Sequence, residues 1–202
     1  MNSLKFGVFY NKQFDTLLVS FSDKPATETE TINNVVVLKN KNEVVGVNIF
    51  EVSKDIQIQD SFCSEKQEVV EYVENILKDI YPVKQEKQFL IGKILSCEAI
   101  EGTHLHLCEV DIKQEVLQIV CGASNARKGL LVVVATSGSW MPNGSLITEG
   151  KVKGIDSYGM LCSARELKLE KESQGIIELG SEYSNKIGQS FWGVYYDEQK
   201  QV

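Results

Sequence analysis

From Phe89 onward the chain is a succession of short apolar runs separated by turn residues, and this recurrence restricts the fold more than any other feature. The runs are Phe89–Ala99, His104–Ile112, Glu115–Cys121, Leu130–Thr136 and Gly175–Leu179. Five short strands with glycines inside and between them predict a small closed β-barrel. Gly92 falls inside the first run, where a barrel strand has to bend sharply. The second run has a parity conflict, because Leu105 and Leu107 share one face while Cys108, Val110 and Ile112 share the other. A bulge near Leu107–Cys108 reconciles the two sets. Pro142-Asn143-Gly144 reads as a tight turn.

The first third has a different texture. Leu4–Tyr10 and Thr16–Phe21 read as strands joined by the Asn11–Asp15 turn, and Val35–Leu38 with Val44–Phe50 as a hairpin. The polar stretch Ser22–Thr31 reads as a loop. Ser64–Ile80 is the clearest helix: Val69, Val70, Val73, Ile76, Leu77 and Ile80 form one apolar stripe. Ser64 and Gln67 have capping-box spacing, and Pro82 ends the helix. Its stripe is expected to cover one face of the N-terminal sheet. Val83–Gln88 is polar and without periodicity, and marks the domain boundary. These readings predict a small α+β domain, an antiparallel sheet plus one helix, over residues 1–83, and a β-barrel domain over 88–192.

A chain of 202 residues with 43% hydrophobic and 24% charged residues can bury a core. No apolar run reaches the roughly 18 residues of a membrane span, and the N-terminus lacks a signal-peptide core, so a cytoplasmic location is expected. The five cysteines, Cys63, Cys97, Cys108, Cys121 and Cys162, form no C-x-x-C pair. A disulfide framework and a zinc ribbon are therefore not expected, and the thiols read as core residues.

The net charge of −7 argues against bulk attraction to nucleic acid. Its distribution softens that objection. Residues 1–87 hold 10 Lys against 14 Asp/Glu, whereas residues 88–192 hold 10 Lys/Arg against 12 Asp/Glu. Cations cluster in two glycine-punctuated stretches that each follow a strand-like run, residues 119–129 and 150–165. Ser124, Asn125, Ser157 and Ser163 offer hydrogen bonds to bases, ribose hydroxyls and phosphates. Arg127, Lys128, Lys151, Lys153 and Arg165 offer charge to phosphates. His104 and His106 are expected on the outer face, able to stack on bases.

Other chemistries are weaker. A metal site from His104, His106 and Cys108 fails if a bulge turns Cys108 inward and leaves the histidines outside. A Cys162 nucleophile lacks a base nearby in sequence. Neither glycine-rich stretch matches a phosphate-loop fingerprint. No catalytic residue, metal or cofactor is called for.

Three ordered motifs carry a resemblance: Ile91–Glu98, Leu117–Asn125 and Val152–Glu166, with Gly175–Leu179 as a closing strand. Over residues 88–192 the chain resembles the tRNA-binding domain of the phenylalanyl-tRNA synthetase β subunit, of some methionyl-tRNA synthetases and of stand-alone tRNA-binding proteins. The acidic N-terminal part followed by this barrel resembles bacterial YtpR-type stand-alone proteins. The resemblance implies an all-β five-stranded OB-fold barrel that binds structured RNA, above all tRNA, in trans and without chemistry of its own. It places Asn125, Ser157 and Ser163 at polar loop positions of the family. Two departures stand out. Ile100–Leu107 replaces the His-Pro-Asn-Ala-Asp-Lys-Leu of many members, with His104 near the place of the lysine. The chain also ends soon after Phe191-Trp192, where stand-alone relatives often carry a longer extension used for dimerisation, so oligomeric state is left open. The alternative reading is a protein-interaction module on such a barrel with weakened RNA affinity. The N-terminal domain is a candidate surface for a protein partner, and a role beside translation follows from the resemblance.

Overall fold

Strands rich in Val, Ile and Thr build the N-terminal region, as their preference for a pleated, half-buried surface dictates. In the computed structural model, which describes residues 2–200, the chain divides between Glu86 and Lys87 into two units. The first contains β1 (Asn2–Leu4), β2 (Gly7–Asn11), β3 (Thr16–Ser20), β4 (Glu28–Ile32), β5 (Val35–Asn40), β6 (Glu43–Phe50), α1 (Gln67–Leu77) and β7 (Val83–Gln85). Five strands form an antiparallel sheet in the order β2-β3-β6-β5-β4. One sheet face buries Val8, Leu17, Val19, Val37, Val47 and Ile49 against Val69, Val70, Val73 and Leu77 of α1. The apolar stripe of the helix therefore meets the sheet as its periodicity requires.

Local chemistry in this unit departs from expectation in four places. The helix starts at Gln67, behind Lys66, and not at Ser64. Ser64 forms no capping box, because its Oγ accepts the Val8 N–H at 2.9 Å and ties the helix approach to β2. Glu28–Ile32, read as a loop, is the edge strand β4 paired with β5. Its first four residues are exposed, so its polar sequence carries no burial alternation. Finally, Val83–Gln85 pairs in parallel with Asn2–Leu4. Gln85 Oε1 accepts the Phe6 N–H at 2.9 Å, and its Nε2 donates to Phe6 O and Ser64 O at 2.8 and 2.6 Å. The run expected over Leu4–Tyr10 is interrupted at the residue this amide grips.

The second unit is mostly β and closes nearly into a five-strand barrel. Its elements are β8 (Phe89–Ala99), β9 (His106–Asp111), β10 (Val116–Cys121), β11 (Leu131–Ala135), β12 (Gly150–Val152), β13 (Ile155–Ser157), β14 (Met160–Leu161) and α2 (Phe191–Gln199). The sheet order is β10-β9-β8-β11-β14. Closure is completed where the Tyr158 N–H donates to Gln118 O at 2.9 Å and the Val120 N–H to Ser157 Oγ at 3.1 Å. Ile94, Cys108, Val110, Ile119, Val132, Val134 and Leu161 fill the interior. At Gly92 a Cβ would stand 2.8 Å from Val134 Cγ2 and 2.9 Å from Val110 Cγ1, so a side chain there would collide with the packed interior.

The bulge lies on β8, between Ile94 and Ser96, and not at Leu107–Cys108. The parity conflict on β9 is resolved by burial instead. Cys108, Val110 and Ile112 go inside, and Leu105 and Leu107 stay half-buried. The fifth strand is Met160–Leu161; Gly175–Leu179 only runs alongside, joined by Ile177 N–H to Cys162 O and Leu179 N–H to Leu131 O. The Asn143–Gly144 turn forms as expected, with the Gly144 N–H on Met141 O at 2.8 Å. Helix α2 was not anticipated, although Ser190 caps it through the Gly193 N–H at 3.0 Å. Among the described residues no helix is long and apolar enough to cross a membrane.

Candidate nucleic-acid interface

The fold brings the two glycine-punctuated stretches to one place. The end of β10 delivers Gly122 and Ala123, the segment after β14 delivers Ser163 and Arg165, and Ile176 closes a cleft of about 390 Å³ between them. Ser163 and Glu166 form a reciprocal box. The Ser163 N–H and Oγ donate to Glu166 Oε2 at 2.8 and 2.6 Å, and the Glu166 N–H donates to Ser163 Oγ at 3.2 Å. Local backbone donors are satisfied by this pair, which fixes the wall on which exposed Arg165 sits. The spacing Ser-x-x-Glu was legible in the sequence but was not used there.

Asn125 and Arg127 do structural work in the opposite wall. Asn125 copies a strand pairing with its side chain: Nδ2 donates to Ile176 O at 2.9 Å and Oδ1 accepts the Ile176 N–H at 3.0 Å. Its Nδ2 also donates to Glu178 Oε1 at 3.0 Å. Arg127 is held in a fork by the same carboxylate, at 2.8 and 2.7 Å. The Arg127 guanidinium, then the Asn125 amide, hold the Glu178 carboxyl down at about 2. Glu178 is thus the residue that the sequence reading missed. It lies 51 residues from Arg127, and no local pattern announces the pair.

The other candidates are more open. The β12–β13 hairpin carries Lys151 and Lys153, both exposed, with Lys153 at the tip in a left-handed backbone conformation. Lys151 has only a loose pairing with Asp156 at 3.6 Å. Ser157 is buried and roots the hairpin on Val120, so its hydroxyl faces the protein. Ser124, Lys128, Lys153 and Arg165 are exposed, and no ion pair is formed by the three cations among the described residues.

The histidines separate. His104 is exposed and lies beside Gly122, with its Nε2 3.7 Å from where a Cβ would be. His106, expected outside, is half-buried, and its buried Nδ1 has no hydrogen-bond partner among the described residues. Strand alternation puts it on the same face as Cys108 and Val110, and it registers with buried Cys121. Among the described residues no group of His, Cys, Asp or Glu is placed to hold a metal ion. Three buried thiols are also poor nucleophiles. Burial raises the Cys162 and Cys121 thiols above the ordinary range and pushes Cys63 up to about 12.

The second unit also carries the chain's similarity to known proteins. Residues 89–187 match the family described as "Putative tRNA binding domain". The Bacillus subtilis protein named "Putative tRNA-binding protein YtpR" is 33% identical over 192 residues, covering 87% of this chain and 94% of the relative. An uncharacterized protein of Mycoplasma pneumoniae is 36% identical over 76% of this chain and 69% of its own. The phenylalanine–tRNA ligase beta subunit of Lactobacillus acidophilus is 47% identical over 88 residues, which are 43% of this chain and only 11% of that subunit.

Proposed function

Because the chain belongs to the tRNA-binding-domain family, we propose that it binds tRNA in trans through a barrel of the OB type, with no chemistry of its own. The observation that carries this reading is the convergence of both glycine-punctuated stretches on one cleft inside the residues that match the family. Its floor of Gly122, Ala123 and Ile176 is small or apolar and suits an unstacked base. On its rim, Arg165 presents a guanidinium, while the Ser163 hydroxyl, whose proton goes to Glu166, keeps one acceptor lone pair for RNA. Lys128, Lys151 and Lys153 add phosphate contacts, with Ser124 and His104 as further polar groups. Asn125, Arg127 and Ser157 support the site by holding its walls. His106, half-buried and in register with buried Cys121, is left out of the proposed contacts.

We propose residues 88–192 as the RNA-binding domain. Residues 1–83 are the domain whose outer sheet face can meet a protein partner, and a bacterial, cytoplasmic setting beside translation fits the relatives. A protein-docking barrel with lost RNA affinity is the second reading. It draws on the net charge of −7 and on the neutralisation of Arg127 by Glu178. Filter binding with tRNA at low and moderate salt separates the two: saturable, salt-sensitive binding supports the RNA reading, and none at low salt removes it.

A further inference from the structure

The barrel carries a pair of thiols on neighbouring strands, outside the residues proposed above to meet RNA. Cys97 on β8 and Cys108 on β9 are direct cross-strand partners, and their sulfurs are 3.6 Å apart. The Ile100 N–H donates to Leu105 O, which makes residues 100 and 105 a hydrogen-bonded pair. Counting back along the antiparallel ladder, hydrogen-bonded and non-hydrogen-bonded pairs alternate, so Cys97 and Cys108 form a non-hydrogen-bonded pair. At such a pair the Cα atoms approach to about 4.5 Å, inside the range a disulfide spans. The remaining thiols lack such a partner: Cys63 lies in the other unit, and the directly paired neighbours of Cys121 on β9 and of Cys162 beside β11 include no cysteine.

The two members of the pair differ in access. Cys97 is half-buried and Cys108 is buried completely. We infer that Cys97 and Cys108 are a reversible oxidation site, in which a hydroperoxide reacts at Cys97 and Cys108 resolves the product into a disulfide. The Cys97 thiolate attacks one oxygen of hydrogen peroxide, the O–O bond breaks, and a sulfenic acid and hydroxide result. The Cys108 sulfur then attacks the Cys97 sulfur, its thiol proton is released, and the hydroxyl leaves as water. In total, two thiols and one peroxide give one disulfide and two waters. The burial that raises the Cys108 thiol keeps it unreactive toward solvent oxidants and leaves it the resolving partner. The bond would staple β8 to β9 just below the hairpin that carries His104. This inference does not depend on what the barrel binds.

The test uses the full chain, dilute hydrogen peroxide, alkylation and non-reducing peptide mass analysis. The expected product is one crosslinked peptide pair joining Cys97 to Cys108, two hydrogens lighter than the free peptides and reversed by dithiothreitol. Cys63, Cys121 and Cys162 should remain alkylatable. Cys97→Ser, at a half-buried position, should abolish the crosslink. Cys108→Ala should leave a sulfenic acid at Cys97 that a dimedone probe captures. Oxidation of wild-type Cys97 to a sulfinic acid while Cys108 stays a thiol would overturn the inference. So would crosslinks to other cysteines at equal yield, or peroxide resistance of Cys97.

Discussion

The Asn125–Arg127 segment commits its side-chain donors to partners within the protein, although Arg127 itself is exposed, whereas the Lys151–Lys153 hairpin leaves its own to solvent. Both stretches combine glycine, amides and cations, and composition cannot tell them apart. The difference lies in a partner far along the chain. Ile176 and Glu178 turn the first stretch into a staple between β10 and the segment beside β11. Among the described residues the hairpin has only Asp156, at 3.6 Å from Lys151, to answer its charges. Cation density therefore marks a candidate surface only after the carboxylates facing it have been accounted for.

The largest effect that could break this comparison lies at Gly175. Its φ is +80°, and a Cβ there would collide with the Asn125 side chain, so the position rejects any side chain. Gly175→Ala should cost about 2 kcal/mol or more, read by urea unfolding, since strain and the loss of the Asn125 clamp act together. A cost below that of an exposed-loop substitution would show that the staple is dispensable. Asn125→Ala should cost about 1–3 kcal/mol by leaving the Ile176 N–H and C=O without a protein partner. Ser163→Ala, which opens the box with Glu166, should cost about 1 kcal/mol in the same assay.

A smaller, pH-dependent effect sharpens the same contrast. The Glu178 carboxyl falls from 4.5 to about 2 on folding, so its contribution is fully present above pH 4.5 and is lost as pH falls toward 2. Wild type and Glu178→Gln should differ in stability at pH 6, and the difference should shrink between pH 4.5 and 2. A difference independent of pH would mean that the fork to Arg127 does not hold in solution.

How far the sequence could be read depended on whether a feature was local. The stripe of α1, the strands β3 and β5–β6, the first four runs of the barrel and the Asn143–Gly144 turn follow from periodicity and turn chemistry within a few residues. The failures involve remote partners. Ser64 had the spacing of a cap, but Val8 claims its hydroxyl. Val83–Gln85 looked aperiodic because its partner strand lies some eighty residues earlier. Glu28–Ile32 is a strand by pairing alone, with no buried face to give it alternation. The bulge was placed on β9 because the parity conflict appeared there, but the ladder is broken on β8, where the sequence shows no conflict. Near the candidate site, the motifs singled out Ser163 and Arg165, which line the cleft, and Lys153, which stands on the β12–β13 hairpin. The roles of Asn125 and Arg127 depend on residues about fifty positions away.

The proposed function assigns tRNA contact to the open cations and not to the stapled one. Its most direct test is the slope of log affinity against log salt for three proteins: wild type, Lys128→Ala/Lys153→Ala/Arg165→Ala, and Arg127→Gln/Glu178→Gln, which removes the ion pair without changing net charge. The triple variant should bind about tenfold more weakly at moderate salt and lose about 3 units of slope, as expected when three phosphate contacts disappear. The Arg127→Gln/Glu178→Gln protein should keep the wild-type slope. The reverse pattern, a flattened slope on loss of the ion pair and an unchanged one in the triple variant, would contradict the account.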